Sequence, residues 1–396
     1  MSPSHGALPH SEITIVGGGI AGLTAAIACS EGGASVTLLE AHSAVGGRGR
    51  SSDGPYKANF GPHVLYKDGP FWRWMAERNL LPPYAGLPIA PVRFRWEGEV
   101  RRTPPLGAIP SVLRLRGRTA PVELDFRTWA ASHSDQRTAA MLSGAAGVLT
   151  FHHDPGGLAA AFVWPHTVRA LLSPPPTARY AIGGWSALID ALERRARELG
   201  VSIETGARVD TLPSSPVIVA TELKDARTLL ADDSLTWTSG HTVCVDVALR
   251  HRRGDPFVVS DMDEAGWIER FSAADPSLAP AGEELIQAQM PVRPGESIEH
   301  TTARLETLMD ASLPHWRERE TWHRRQVMDG RTGALDMPGQ SWSDRPAIDR
   351  GDGVFLAGDA VAAPGLLSEV AWASALQASR LALQSGASRP ALHNVA

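Results

Sequence analysis

Apolar residues near the start of the chain follow the pattern of a strand, a turn and a helix. The run Ile13 to Val16 is typical of a short buried strand, and Gly17 to Gly19 predict a tight turn after it. The Ala-rich stretch from Ile20 to Glu31 predicts a helix, which two consecutive glycines end. A second apolar run, Ser35 to Leu39, is followed directly by Glu40. This order predicts a βαβ unit with two parallel strands.

Similar elements recur far along the chain. Trp185 to Leu199 has the period of a helix, and Val201 to Glu204 and Val217 to Ala220 are strand-like. Near the end, the apolar run Val354 to Ala357 and the small-residue stretch Ser368 to Gln384 predict a strand and a helix. These segments are expected to complete the sheet that the first βαβ unit begins.

Two long stretches separate these segments. From Gly54 to Pro176, proline clusters break up short aromatic pieces, so we expect an irregular inserted region. The second stretch, 223 to 345, contains an alternating run at Thr242 to Leu249 that suits a mixed sheet, and a helix at Ile298 to Ser312. The predicted fold class is α/β, with a discontinuous Rossmann-type nucleotide-binding domain and a second mixed-sheet α+β domain. The predicted ranges are 1–62, 179–222 and 346–396 for the first domain, and 63–178 and 223–345 for the second.

The composition of the 396-residue chain excludes some classes of binding partner. Its 43 acidic and 38 basic residues give a net charge of -5, so no global positive field favours nucleic acid. Two cysteines, Cys29 and Cys244, cannot form a disulfide framework, which fits a cytoplasmic location. The run Ile13 to Cys29 approaches the length of a membrane span, but its glycines predict a turn, and Met1 to Ser11 carry no basic cluster. We therefore expect neither an integral membrane segment nor a signal peptide.

The first turn carries the G-x-G-x-x-G pattern of a dinucleotide site, formed by Gly17, Gly18, Gly19, Ile20, Ala21 and Gly22. Gly17 permits the turn, Gly19 lets the backbone approach a diphosphate, and Gly22 brings the helix close to the sheet. Glu40 is placed to accept hydrogen bonds from a ribose diol. Because its carboxylate would repel a 2′-phosphate, NADP is disfavoured.

A second glycine motif, Gly46-Gly47-Arg48, follows Glu40 and can bring a guanidinium to the diphosphate. Together with Gly17 to Gly22 and Glu40, it resembles the flavin-containing amine oxidase and phytoene desaturase superfamily, which includes protoporphyrinogen oxidase-like members. This resemblance implies FAD as the cofactor and the discontinuous FAD domain of that superfamily.

The end of the chain is similar to the closing motif of the same superfamily. Phe355 to Asp359 and Pro364 to Leu367 precede the last predicted helix. In the superfamily the aspartate meets the ribityl and diphosphate region, and the helix starts beneath the flavin. The resemblance, which covers under half of the chain, implies further FAD-binding residues, namely Gly61, Pro62, His63, Val209, Gly358, Asp359, Gly365, Leu366 and Leu367.

The substrate site has a weaker signal. His63 follows Gly61-Pro62 where the superfamily chain passes near the flavin, so it is the candidate catalytic residue, with a structural histidine as the alternative. Tyr56, Tyr180 and Trp185 are candidate pocket residues, each with packing as its alternative. We expect no metal site, because the adjacent side chains of His152 to Asp154 diverge. The stretch Phe71 to Met75 is either an exposed membrane-binding patch or a buried lid.

Departures from the superfamily bear on the reaction. The position of an aromatic cage residue is Leu366, the closing motif has no cysteine, and Lys224 is the one lysine after residue 67. These departures favour the desaturase side over an aromatic-cage amine oxidase.

The resemblance implies an FAD-dependent oxidoreductase that takes hydride from a CH–CH or CH–NH group of a small organic or isoprenoid-like substrate bound between the domains. The electron acceptor is oxygen, a quinone or another molecule. Two alternatives stay open: an FAD-requiring isomerase without net oxidation, and a binding protein resembling Rab GDP dissociation inhibitors.

Overall fold

The computed structural model describes residues 11–105, 109–173, 175–214 and 216–387. Both ends of the predicted first domain lie partly outside these ranges. So does most of Met1 to Ser11, where no signal peptide is expected. The chain divides into two compact units, the first formed by the described residues of 1–49, 189–236 and 343–396, and the second by those of 50–188 and 237–342. These boundaries differ by 3 to 14 residues from those predicted.

Unit 1 contains a parallel five-stranded sheet in the order β15-β9-β1-β2-β8. Its strands are β1 (Glu12–Val16), β2 (Ser35–Glu40), β8 (Ser202–Thr205), β9 (Val217–Val219) and β15 (Val354–Leu356). Its helices are α1 (Ile20–Glu31), α9 (Leu223–Leu230) and α12 (Ser368–Ala387), and α8 (Ser186–Glu198) begins in unit 2 and ends in unit 1. The predicted α/β class and the predicted bounds of α1 are confirmed.

Burial in the core of unit 1 explains why the strands of this sheet are apolar runs in the sequence. Ile13, Ile15 and Leu38 are fully buried, as expected for parallel strands covered on both faces. Helices α1 and α12 pack together over it, and Ser379 Oγ donates a 3.3 Å hydrogen bond to the carbonyl of Ala25. Small side chains on both helices allow this close approach.

Unit 2 contains a mixed seven-stranded sheet and a small three-stranded sheet. The large sheet has the order β14-β10-β13-β12-β11-β5-β6. Its strands are β5 (Val92–Trp96), β6 (Glu99–Arg101), β10 (Ser239–Arg250), β11 (Val258–Asp261), β12 (Trp267–Glu269), β13 (Glu283–Pro291) and β14 (Glu320–Ala334). The small sheet has the order β3-β7-β4, formed by β3 (Leu65–Tyr66), β4 (Tyr84–Ala85) and β7 (Ala178–Ala181). The predicted mixed-sheet architecture is confirmed.

One face of the large sheet is apolar and the other is polar, although both are buried. Val243, Val245 and Val247 on β10 pack with α10 (Ile298–Ser312) and α11 (Trp316–Arg319). The alternating positions on β10 include Thr242 and Asp246, which are also fully buried. A buried polar face requires hydrogen-bonding partners, which are described below.

The prediction of an irregular region from Gly54 to Pro176 is wrong. Its described residues contain six α-helices, namely α2 (Pro70–Glu77), α3 (Ile109–Arg116), α4 (Phe126–Ala131), α5 (Gln136–Ala145), α6 (Gly147–Thr150) and α7 (Ala160–Leu171). Asp125 and Asp135 cap two of them, each accepting a hydrogen bond from a backbone N–H three residues on. Pro70 occupies the first position of α2, where proline is compatible with a helix. The proline clusters at 82–83 and 104–105 lie in connections; Pro174 lies outside the described residues.

The structure also decides between the two interpretations of Phe71 to Met75. These residues belong to α2, and Phe71, Trp72, Trp74 and Met75 are at most 6% exposed. The exposed-patch interpretation is therefore wrong, because the aromatic side chains lie within unit 2. Within the described ranges, no helix combines the length and the apolar character that crossing a membrane requires.

Candidate functional site

The turn between β1 and α1 has room only for glycine at two positions. Gly17 has a φ of +102°, and a Cβ there would lie 2.7 Å from the carbonyl oxygen of Ala220. A Cβ on Gly22 would lie 1.8 Å from the carbonyl oxygen of Gly17. The first turn of α1 is therefore held directly against the preceding loop, as the glycine pattern predicts.

Gly19, in contrast to Gly17 and Gly22, faces open space. It is the N-cap of α1 and makes no side-chain cap hydrogen bond, and a Cβ added to it would have no heavy atom within 4 Å. Across the loop, a Cβ on Gly47 would meet only the Cα of Gly19, at 3.7 Å. The two glycines thus line an open cradle at the positive end of α1, where backbone N–H groups can bind an anion. This cradle fits the diphosphate of a dinucleotide.

Glu40 lies at the carboxyl end of β2 with 6% of its surface exposed. Gly18 N donates a 2.7 Å hydrogen bond to Oε2, and His42 N donates a 2.8 Å hydrogen bond to Oε1. His42 Nδ1 is also 2.8 Å from Oε1. The carboxylate is therefore fixed beside the glycine turn, the position expected for a ribose-binding acid.

Arg48 and Asp359 form an ion pair in unit 1, with Nη1 2.8 Å from Oδ2. Burial works against the charge on Asp359, yet the guanidinium of Arg48 outweighs it and holds the pKa of Asp359 below its usual range. Gly358 N donates a 2.9 Å hydrogen bond to Ser374 Oγ on α12, and the same hydroxyl lies 2.9 Å from the carbonyl oxygen of Gly358, which anchors the turn that carries Asp359. The pair joins two motifs that the sequence analysis identified separately.

Replacing Asp359 with asparagine is expected to lower the free energy of unfolding by about 1 kcal/mol at neutral pH. Because the folded-state pKa of Asp359 is depressed, the pair stabilises the protein above about pH 4, and this contribution is lost as the pH falls through the folded pKa. The variant should therefore lose stability less steeply than the parent below about pH 4. Urea denaturation at neutral and acidic pH measures both effects.

A matched control is Asp53→Asn. The Asp53 side chain is 98% exposed and 4.0 Å from Arg50, so its loss should leave the unfolding curve unchanged. Equal acid sensitivity of the parent and the Asp359 variant would contradict the assigned role of the pair.

The other predicted FAD-binding residues of unit 1 lie in two loops. Val209 is half-buried in the segment after β8. Gly365 has a φ of +127°, Leu366 is 2% exposed, and Leu367 has a φ of +52° directly before α12 begins. Their proposed contacts with a cofactor stay a prediction.

In unit 2, three of the predicted residues line one small cleft. The ring of His63 stacks on Trp185, with the ring centroids 4.4 Å apart, and Tyr180 also contributes to the wall. The remaining lining residues are Asn59, Ala181, Phe271, Asp275 and Leu278. The cleft has a volume of about 10 Å³, the space of about one water molecule. Gly61, with a φ of +119°, turns the chain that presents His63.

Asn59 and Asp275 organise the backbone around this cleft. Trp185 N donates a 3.0 Å hydrogen bond to Asn59 Oδ1, and Gly183 N donates a 2.6 Å hydrogen bond to Asp275 Oδ2. The sequence analysis missed both residues. The Asp275-Pro276-Ser277 turn was a usable signal, because an aspartate before a proline commonly caps a helical turn, as Asp275 does here.

Tyr180 reaches a buried carboxylate. Its hydroxyl donates a 2.5 Å hydrogen bond to Glu269, which also accepts one from Trp267 Nε1 at 3.0 Å. Burial raises the pKa of Glu269, and the two donors oppose that effect. Glu269, which does not line the cleft, therefore fixes the position of Tyr180 in its wall.

Tyr56, the remaining predicted pocket residue, is not among the residues lining the cleft. Its hydroxyl donates a 2.7 Å hydrogen bond to Glu283, and its ring stacks on Trp322 with centroids 5.2 Å apart. Its role in a substrate pocket stays a prediction.

The polar face of the large sheet holds a network centred on Asp246. Arg324 Nε donates a 2.8 Å hydrogen bond to Asp246 Oδ2, and Gln287 Nε2 donates one of 2.5 Å to Oδ1. Arg324 Nη2 donates a further bond of 2.7 Å to the carbonyl of Asn59. The network therefore connects the sheet to the segment that leads to Gly61 and His63.

The pair His152-His153 lies beside Asp154, whose carboxylate is paired with Arg127. The two histidine rings are tilted by 41° with centroids 4.3 Å apart. Across the described ranges, no group of three or more His, Cys, Asp or Glu side chains has an arrangement that could hold a metal ion.

Comparison with known proteins agrees with this geometry. Residues 15–78 match a family model described as an NAD(P)-binding Rossmann-like domain. No curated protein matches the sequence significantly.

Solved structures match nearly the whole chain. An oxidoreductase from Methanosarcina mazei has a TM-score of 0.74 and 16% identity, covering 93% of this chain and 100% of its own. Cyclohexylamine oxidase from Brevibacterium oxydans has a TM-score of 0.72 and 15% identity, with 95% and 99% covered. Putrescine oxidase bound to putrescine has a TM-score of 0.70 and 16% identity, with 96% and 98% covered. At these identities the likeness shows the fold alone. The chain therefore has the fold of these oxidases, as its motifs predict, and residues 15–78 belong to its Rossmann-like unit.

Proposed function

We propose that the protein is an FAD-dependent oxidoreductase that removes hydrogen from a CH–CH or CH–NH group of a small organic substrate. The observation that carries the proposal is the glycine-lined cradle at the N-terminus of α1, beside the fixed carboxylate of Glu40. The likeness in fold to two oxidases supports the reaction class. FAD would supply the acceptor for the two electrons and the hydrogen taken from the substrate.

Unit 1 would hold the cofactor. Backbone N–H groups at the start of α1 would bind the diphosphate, and Glu40 would accept hydrogen bonds from the adenosine ribose. Arg48 would add positive charge near the diphosphate while its pair with Asp359 keeps it in place.

In unit 2, residues in the wall of the cleft would act on the substrate. The cleft itself has the space of about one water molecule, so the substrate would lie outside it. The ring of His63, held by stacking on Trp185, would accept the proton that leaves the substrate nitrogen or carbon. The hydroxyl of Tyr180 is bonded to Glu269 and the carboxylate of Asp275 to Gly183 N, so these two residues would hold the wall of the cleft in shape.

The visible absorption spectrum tests the cofactor. We expect purified protein, or protein given FAD, to show the absorption of a bound flavin that bleaches on anaerobic reduction and returns with an added acceptor. Protein that stays colourless after FAD is added would overturn the proposal in favour of a binding protein without a flavin. Turnover with no change of flavin redox state and no consumption of acceptor would identify an isomerase instead.

Replacing His63 with alanine is expected to leave the flavin spectrum intact and to slow anaerobic flavin reduction by a substrate by about 100-fold, since proton transfer contributes on that order. A His63→Gln variant, which keeps a side chain of similar reach, controls for packing against Trp185. Reduction at the parent rate in both variants would assign His63 a structural role.

A further inference from the structure

Helix α3 (Ile109–Arg116) has one face packed in unit 2 and one face in solvent. Leu115 is fully buried and Ser111 is 4% exposed, and both lie on the packed side. On the solvent side, Ile109 and Leu113 are 48% and 64% exposed. These two residues are four positions apart, so their side chains form one apolar ridge along the helix.

Arginines lie on this helix and directly after it. The sequence from Arg102 to Val122 contains four arginines and no acidic residue, in a chain whose net charge is -5. Arg114, Arg116 and Arg118 are exposed. Arg114 Nη2 lies 3.3 Å from Ser111 Oγ, and the described residues contain no ion pair to any of these three arginines. Their charges are therefore available to an external anion.

The apolar ridge and the exposed arginines together indicate the kind of partner. A nucleic-acid backbone would pair with the guanidinium groups but would leave the aliphatic side chains of Ile109 and Leu113 in water. An anionic lipid surface satisfies both, since its phosphate groups accept hydrogen bonds from arginine and its acyl boundary accepts aliphatic side chains. No aromatic residue lies in the helix to stack on bases.

We propose that the exposed face of α3, comprising Ile109, Leu113, Arg114 and Arg116 with the following Arg118, binds the surface of an anionic membrane. The helix is about 12 Å long, so the contact covers a few lipids and is reversible. This proposal does not depend on the proposed oxidoreductase reaction. If the protein does not bind lipid, the proposed reaction is unaffected.

The test is cosedimentation of the intact protein with vesicles. We expect binding to vesicles of equal parts phosphatidylglycerol and phosphatidylcholine, little binding to pure phosphatidylcholine, and release as the salt concentration rises. Leu113→Glu and the double variant Arg116→Glu/Arg118→Glu are each expected to weaken binding by at least about tenfold, since each arginine contributes about fivefold at such a surface. Arg194→Glu on α8 is the matched control, because Arg194 is also exposed and should not affect binding.

Circular dichroism and the elution volume of each variant complete the experiment. Because the changed side chains are exposed, the variants should keep the parent's fold. Absence of binding to anionic vesicles, equal binding to both vesicle types, or equal effects of the α3 variants and Arg194→Glu would overturn the proposal. A parent dimer that Leu113→Glu converts to a monomer, without vesicle binding, would overturn it in favour of a second copy of the chain as the partner.

Discussion

Replacing Gly22 with alanine is expected to destabilise the protein by about 3 kcal/mol, at the upper end of what overpacking causes. The added Cβ would lie 1.8 Å from the carbonyl oxygen of Gly17, which is backbone and cannot rotate away. Helix α1 would have to move from the turn, and the cradle at its N-terminus would lose its shape. Urea denaturation gives the loss of stability, and titration with FAD followed by flavin fluorescence gives the expected loss of affinity.

The same change at Gly19 is the matched control, because it separates stability from binding. A Cβ at Gly19 has no heavy atom within 4 Å, and the residue's φ of -73° suits alanine. Gly19→Ala should therefore change stability by less than about 1 kcal/mol while weakening FAD binding by at least about tenfold, since the methyl group projects into the cradle. Equal stability losses in the two variants would show that the turn differs from the one described.

Arg324→Met is expected to lower the free energy of unfolding by about 3 to 5 kcal/mol. The change leaves Asp246, which is fully buried, with its amide partners and without a cation. It also removes the donor to the carbonyl of Asn59. Urea denaturation of the parent and the variant at neutral pH measures the difference.

Two further variants show whether this effect comes from the unpaired buried charge. Arg324→Met combined with Asp246→Leu should regain much of the lost stability, because neither charge is then buried alone. Arg197 Nη2 lies 2.7 Å from Glu193 Oε1, as Arg324 Nη2 does from Asp246 Oδ2, but the Arg197 pair is exposed. Arg197→Met should therefore cost less than about 0.5 kcal/mol. If Arg324→Met is as mild as Arg197→Met, the buried network does not stabilise unit 2.

The sequence was most informative where local patterns decide the structure. Helix α1 has the predicted bounds because an Ala-rich run lies between three glycines and a glycine pair, and Glu40 is located by its position at the end of an apolar strand. The short helices α4 and α5 were missed, although Asp125 and Asp135 supply their caps. Each is too short to show a clear helical period against the surrounding prolines.

The candidate site depended more on tertiary contacts. Arg48 and Asp359 were each identified from a motif, but nothing local predicts that they pair across 311 positions. Glu269 was missed because its partner Tyr180 comes from a distant strand. Asp246 gave a usable signal, a charge inside the apolar run Thr242 to Leu249, which indicates a buried partner without identifying Arg324.

The parallel sheet of unit 1 has a consequence for synthesis in the cell. Strand β9 pairs with β1 on one side and with β15 on the other, and β15 begins 314 positions after β2 ends. At ordinary translation rates, β9 waits about 7 to 27 s for β15, because 135 positions separate the two strands, and α1 waits about 15 to 70 s for α12. Such distant pairing also means a high contact order and slow folding. Unit 1 is therefore expected to depend on chaperones while the ribosome completes its last segment.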